Sequence, residues 1–86
     1  MDRAKILDEL RRVLRDALQL GQRAESLTDQ SQLLGVIAEL DSMAVVTVIT
    51  ALEERFGFAV ADDEISAQTF STLGSLADFV DEKLRS

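Results

Sequence analysis

Histidine and cysteine are both missing from the 86 residues. The chain therefore holds neither the usual general base nor a thiol, and Ser-His-Asp, Cys-His and HExxH constellations are excluded. What remains with reactive potential are hydroxyls and carboxylates. Among them Ser42 stands apart, because it follows Asp41 directly, comes after a long polar stretch and opens an amphipathic segment. Taken alone, Asp41-Ser42 reads as a helix N-cap and its neighbour. The acidic run Asp62-Asp63-Glu64 lacks the alternating ligands and the Gly of a calcium loop, and reads as a helix first turn rather than a metal site. With no catalytic set and no recognisable metal-ligand pattern, the chain is not expected to be an enzyme.

Sixteen acidic and nine basic side chains give a net charge of -7. Residues 1–23 hold six basic and four acidic groups, a net +2, whereas residues 24–86 hold three basic and twelve acidic, a net -9. Between Glu25 and Glu82 the only cation is Arg55. Nucleic acid and anionic membrane surfaces want clustered Lys and Arg, so neither is expected as a partner, and a basic protein surface fits better. No apolar stretch approaches the roughly 20 residues of a membrane span, and Met-Asp-Arg-Ala-Lys lacks a signal-peptide core, so a cytoplasmic monomer is expected. A chain of this mass folds to roughly 5,000 Å² of accessible surface, which leaves one modest core and a single domain over 1–86.

The elements that must position Ser42 follow from apolar spacing. Ile6, Leu10, Val13, Leu14, Ala17 and Leu18 form one stripe of a first helix, from about Arg3 to Leu20, with Gly21 as its left-handed stop. Residues 22–40 read as a long loop held to the core by Leu27, Leu33, Leu34, Val36 and Ile37; a loop of that length in so small a domain signals function. A second helix opens at Asp41-Ser42, packs through Val46, Ile49, Leu52 and Phe56 with Val48 beside them, and stops at Gly57. A short third helix covers about Asp63 to Ala67. Ser71 or Thr72 caps a closing helix whose apolar face is Leu73, Leu76, Ala77, Phe79, Val80 and Leu84. The expected fold is all-α, a four-helix bundle of three longer helices and one short third helix, with a long loop between helices one and two.

Leu40-Asp41-Ser42-Met43, the segment Val46 to Phe56 ending in Leu52-Glu53-Glu54-Arg55-Phe56-Gly57, the acidic Asp62-Asp63-Glu64-Ile65, and Phe70 and Leu73 together resemble the acyl carrier proteins. The resemblance covers essentially the whole chain and is strongest from Leu40 to Val80. It implies a 4'-phosphopantetheine arm from coenzyme A on Ser42, whose terminal thiol holds an acyl group as a thioester for a fatty-acid, polyketide or related pathway. Implied partners are a phosphopantetheinyl transferase and an acyl-activating ligase, acyltransferase or ketosynthase. An exposed hydroxyl at a helix N-terminus suits this role, since open backbone N–H groups and the helix dipole favour a phosphodiester there. Asp41 is implied in engaging the transferase and its metal ion, besides capping. Met43 is expected to pack under the loop and hold the start of helix two against it.

Two positions where the family carries docking acids are Ala44 and Thr47 here, with Val45 between them, while Glu53 and Glu54 match the family's far acidic pair. Ala44, Val45, Thr47, Glu53 and Glu54 are thus the expected partner-binding residues, with apolar contact at the centre; removing charge there lowers desolvation cost. Glu39 stands where the family often has Gly, and Ala61 where it often has Pro. These departures point to a dedicated pathway carrier. Phe56, Ile65 and Phe70 are candidate walls for an acyl pocket, and core packing explains them equally well. The rival reading is a small helical protein-interaction module without prosthetic group, in which Ser42 acts only through the helix start.

Overall fold

The computed structural model describes residues 2–85; Met1 and Ser86, the ends of the expected domain, and the side chain of Asp62 lie outside the described part. Helix α1 spans Arg3–Leu18, α2 Ser42–Phe56 and α3 Leu73–Arg85, and 3-10 turns occupy Gly21–Ser26, Asp62–Glu64 and Ala67–Phe70. The expected all-helical bundle with its long α1–α2 loop is therefore the observed one. The short third helix takes the form of 3-10 turns. Within Asp62–Glu64 the Glu64 carboxylate accepts from the Ala61 N–H at 2.8 Å, a tie that tightens a single turn.

Asp2 caps α1 by accepting from the Lys5 N–H at 2.9 Å, and Ile6, Leu10, Val13, Leu14 and Leu18 line its buried stripe. The helix ends two residues earlier than the spacing predicts: Gln19, not Gly21, is the left-handed cap, with φ 56°. Leu20 is buried, and stopping the helix at Leu18 turns that side chain into the core. On α2 the buried residues are Val48 and Leu52, with Val45, Ile49 and Phe56 packed against the core. Val46, expected in that stripe, faces outward instead. Residues 43–49 are apolar at six of seven positions, so spacing alone leaves two possible faces, and packing against α1 chooses the one centred on Val48. Thr72 caps α3 reciprocally with Ser75: Ser75 N–H donates to Thr72 Oγ1, and Thr72 N–H to Ser75 Oγ, each at 3.0 Å.

The long loop is stitched to the start of α3 by backbone pairs. Gly74 and Leu73 donate N–H groups to Asp29 O (2.8 Å) and Ser31 O (2.9 Å), while Leu33 and Leu34 donate to Ser71 O (2.9 Å) and Phe70 O (3.0 Å). Gly74 is required at this crossing, because a Cβ there would lie 2.0 Å from Asp29 Oδ1 and 2.7 Å from Asp29 O. Arg3 ties the same corner to α1, binding Asp29 at 2.9 Å and Asp78 at 2.6 Å. Leu33, Ile37 and Leu40 bury themselves in the core as the loop runs toward α2; Leu34 and Val36, expected to do the same, are exposed. The accessible surface of 5208 Å² matches the size expected of one small core.

Candidate functional site

Asp41 ends the loop in an extended conformation and turns the chain into α2. Its Oδ1 accepts from the Ala44 N–H at 2.8 Å and its carbonyl from the Val45 N–H at 2.9 Å, which is N-cap geometry. Ser42 is the first helical residue and is exposed. Its hydroxyl has no hydrogen-bond partner among the described residues, and neither do the backbone N–H groups of Ser42 and Met43. The helix thus offers a free hydroxyl beside two open donors at its positive end, an arrangement that suits a phosphate ester on that oxygen. These residues fit a phosphopantetheine arm: the attachment oxygen is accessible, and the neighbouring Asp41 carboxylate is partly engaged in capping.

The approach to Ser42 is fixed from below and from the side. Leu40 and Ile37 are buried, Leu40 N–H donates to Ile37 O at 3.0 Å, and Asp41 N–H to Glu39 O at 3.1 Å. Glu39 forms a two-pronged pair with Arg23 at 2.6 and 2.9 Å, linking the turn Gly21–Ser26 to the segment that delivers the serine. The Arg23 guanidinium holds the Glu39 carboxyl down to about 2. At the other end of α2, Arg55 binds Glu9 of α1, whose side chain lies almost wholly out of solvent. Neither pair was foreseen from sequence. For Glu9 a signal existed, since it sits within the apolar stripe between Ile6 and Val13; the Arg23–Glu39 pair spans 16 positions and has none.

The outward strip of α2 differs from the expected one. Ala44 and Val45 are half-buried against the core. Met43, expected under the loop, is 76% exposed, and Val46 is 59% exposed. A helix beginning at Ser42 sets Met43 on the side away from α1, because Val45 and Val48 take the inward positions. Thr47 and Thr50 are exposed too, and their hydroxyls donate back to Met43 O (3.3 Å) and Val46 O (3.0 Å). The strip past Ser42 is therefore uncharged, with its polar atoms satisfied internally. Of the acidic pair at its end, Glu53 accepts from the Val60 N–H at 2.8 Å, and Glu54 is exposed without a hydrogen bond or ion pair among the described residues.

Three of the four phenylalanines cluster at the C-terminal end of α2. Phe56 stacks on Phe58 with centroids 6.0 Å apart, and Phe58 meets Phe79 edge-on at 6.5 Å. Lys83 sits over Phe58 and donates to the Glu64 carboxylate at 2.9 and 3.1 Å, which, with the Ala61 N–H, keeps that carboxyl below the usual range. Of the three candidate pocket walls, Phe70 is a fully buried core residue, and Phe56 and Ile65 are partly buried against the core. No helix among the described residues is long and apolar enough to cross a membrane.

Comparison with known proteins bears on family and fold. A family model described as the phosphopantetheine attachment site matches residues 8–80. The chain is 30% identical over 84 residues to an acyl carrier protein of Coprothermobacter proteolyticus, covering 98% of this chain and 96% of that one. It is 36% identical over 42 residues to an acyl carrier protein of Acidothermus cellulolyticus, about half of each chain. Among solved structures it resembles the solution NMR structure of a holo acyl carrier protein from Nitrosomonas europaea, with TM-score 0.88, 65% identity, and 93% and 96% of the two chains covered.

Proposed function

The chain belongs to the acyl carrier protein family, and from that premise we propose that Ser42 is its attachment residue and that it carries acyl groups between partner enzymes of a dedicated fatty-acid, polyketide or related pathway. The observation that carries this reading is the free, exposed Ser42 hydroxyl at the capped start of α2, next to the open N–H groups of Ser42 and Met43. The prosthetic group is covalently attached 4'-phosphopantetheine, and when attached it supplies the thiol that a Cys-free chain lacks. The protein's own residues do the rest. Asp41 holds the helix start in place and presents the serine to a phosphopantetheinyl transferase, while Leu40 and the Arg23–Glu39 pair fix the loop that leads to it.

Partner enzymes, such as an acyl-activating ligase, an acyltransferase or a ketosynthase, read α2 from its outward side. There Met43, Val46, Thr47 and Thr50 take the central role, Glu54 marks the far end, and Ala44, Val45 and Glu53 shape the helix beneath. A cytoplasmic monomer suits such a shuttle.

Intact-mass measurement after incubation with coenzyme A, Mg²⁺ and a broad-specificity transferase tests the proposal. The expected result is a gain of one phosphopantetheinyl group that disappears in Ser42→Ala. A gain that persists in Ser42→Ala refutes the site, and no gain with any transferase refutes the function.

A further inference from the structure

Between α1 and the turn Gly21–Ser26 lies a cleft of about 290 Å³, lined by Asp8, Arg11, Arg12, Arg15, Ala24 and Glu25. Three of the nine cations of a chain with net charge -7 are thus gathered at one place. Ala24 is buried against the helix, and its small side chain leaves the space above it open. Glu25 stands exposed on the turn, without a hydrogen bond or ion pair among the described residues.

These arginines are only weakly neutralised. Asp8 stands at helical ion-pair spacing to both Arg11 and Arg12, yet it binds Arg12 alone, loosely, at 3.5 Å. Arg11 instead donates its Nε to Leu27 O at 2.7 Å and makes no ion pair among the described residues. A neutral carbonyl orients that guanidinium without cancelling its charge, and both Nη groups stay open. Arg15 meets its sequence neighbour Asp16 at 3.3 Å, a contact between exposed side chains that water competes with. Arg11 and Arg15 are one turn apart, about 6 Å along the helix axis. Three guanidiniums against the carboxylates of Asp8 and Glu25 leave the lining one positive charge.

We propose that this cleft binds the diphosphate group of a small anionic ligand. A single carboxylate fills one guanidinium fork, whereas a diphosphate spreads its charge over oxygens that two or three forks share, and arginine rather than lysine matches that geometry. Every cation of the lining is an arginine. Arg11, already oriented by Leu27 O, takes one phosphoryl group; Arg15 exchanges its exposed contact with Asp16 for the other, and Arg12 closes the side between them. The rim carboxylate of Glu25 opposes the ligand and limits its affinity. No residue of the lining belongs to α2 or to the segment that delivers Ser42, so the site stands whether or not that serine carries an arm.

The test is an NMR titration of the full isotopically labelled chain with inorganic pyrophosphate, at constant ionic strength and without divalent cations. Saturable shifts are expected at Arg11, Arg12, Arg15, Ala24 and Glu25. Arg11→Lys, which keeps the charge and loses the fork, and Arg15→Gln each weaken binding by about threefold or more. Glu25→Gln, an exposed change that leaves the core intact, tightens it. Lys5→Gln removes a cation of the same helix outside the cleft and binds as wild type does, as does Ser42→Ala. ADP as a second probe separates the sources: tighter binding than pyrophosphate assigns a nucleotide, and equal binding assigns the diphosphate alone. Shifts that rise without saturation overturn the proposal. So do equal losses in Lys5→Gln and Arg15→Gln, a Glu25→Gln variant that binds no better than wild type, or an oligoglutamate peptide that binds as well as pyrophosphate.

Discussion

Removing Arg55 tests how α2 is held against α1. Glu9 is 6% exposed, and its carboxylate is bound by a guanidinium whose own side chain is half in solvent. Breaking a fully buried pair by deleting one partner costs about 3–5 kcal/mol, whereas exposed pairs contribute about 0–1. With one member buried and the other half-exposed, Arg55→Ala is expected to cost about 2–3 kcal/mol, part of it from the lost packing of the aliphatic stem. In a domain of this size that lowers Tm by roughly 8–24 °C. The reverse deletion is milder: in Glu9→Leu the freed guanidinium turns into water, so the cost is expected at about 1 kcal/mol. Glu9→Leu with Arg55→Met is expected to lie within about 1 kcal/mol of wild type, because no buried charge remains. Thermal melts of the four proteins by circular dichroism supply the comparison. The reasoning is refuted if the two single variants cost the same small amount, or if the double variant is as unstable as Arg55→Ala.

Gly74→Ala is expected to destabilise by about 1–3 kcal/mol, measured by urea unfolding, even though Ala is the better helix former, because its methyl group meets the Asp29 carbonyl as well as the side chain. Asp41→Ala is expected to lose about 1 kcal/mol of stability through the cap, while Asp41→Asn keeps the melt near wild type; comparing arm-transfer rates of the two by mass spectrometry separates capping from transferase recognition. The Glu39 and Glu64 carboxyls are both held below their ordinary value of 4.5 by Arg23 and Lys83. Their contribution is therefore full above the unfolded value and lost as pH falls, so Tm measured between pH 5 and pH 2 is expected to decline, and Arg23→Gln with Lys83→Gln to flatten that decline.

Helix existence was readable in α1 and α3 because their apolar residues fall on one stripe flanked by charge, and the stop at Gly57 was readable because a left-handed cap favours glycine. The end of α1 was not: Gln19 takes the left-handed turn because burying Leu20 requires it there, and spacing carries no record of that. In the loop, Leu33 and Ile37 are core while Leu34 and Val36 are solvent-facing, a distinction made by pairing with the Phe70–Ser71 backbone some 37 residues away. The Asp41-Ser42 site was legible as a helix start from residue type alone, and its cap is observed.

The least legible part of α2 is also the most informative. Met43, Val45, Val46, Val48 and Ile49 surround the helix with apolar side chains, and a helix apolar on all sides is ordinarily buried. Here it is not, as Met43 and Val46 stand in solvent next to the free serine. Folding alone gives no reason to leave them out, since Val48 and Leu52 already fill the contact with α1. Exposed apolar side chains grouped at the one unpartnered hydroxyl of a capped helix are better explained by transient cover from another protein than by the stability of this one. The same inference accounts for the two threonines on that strip, whose hydroxyls are turned back onto the helix and ask nothing of a partner.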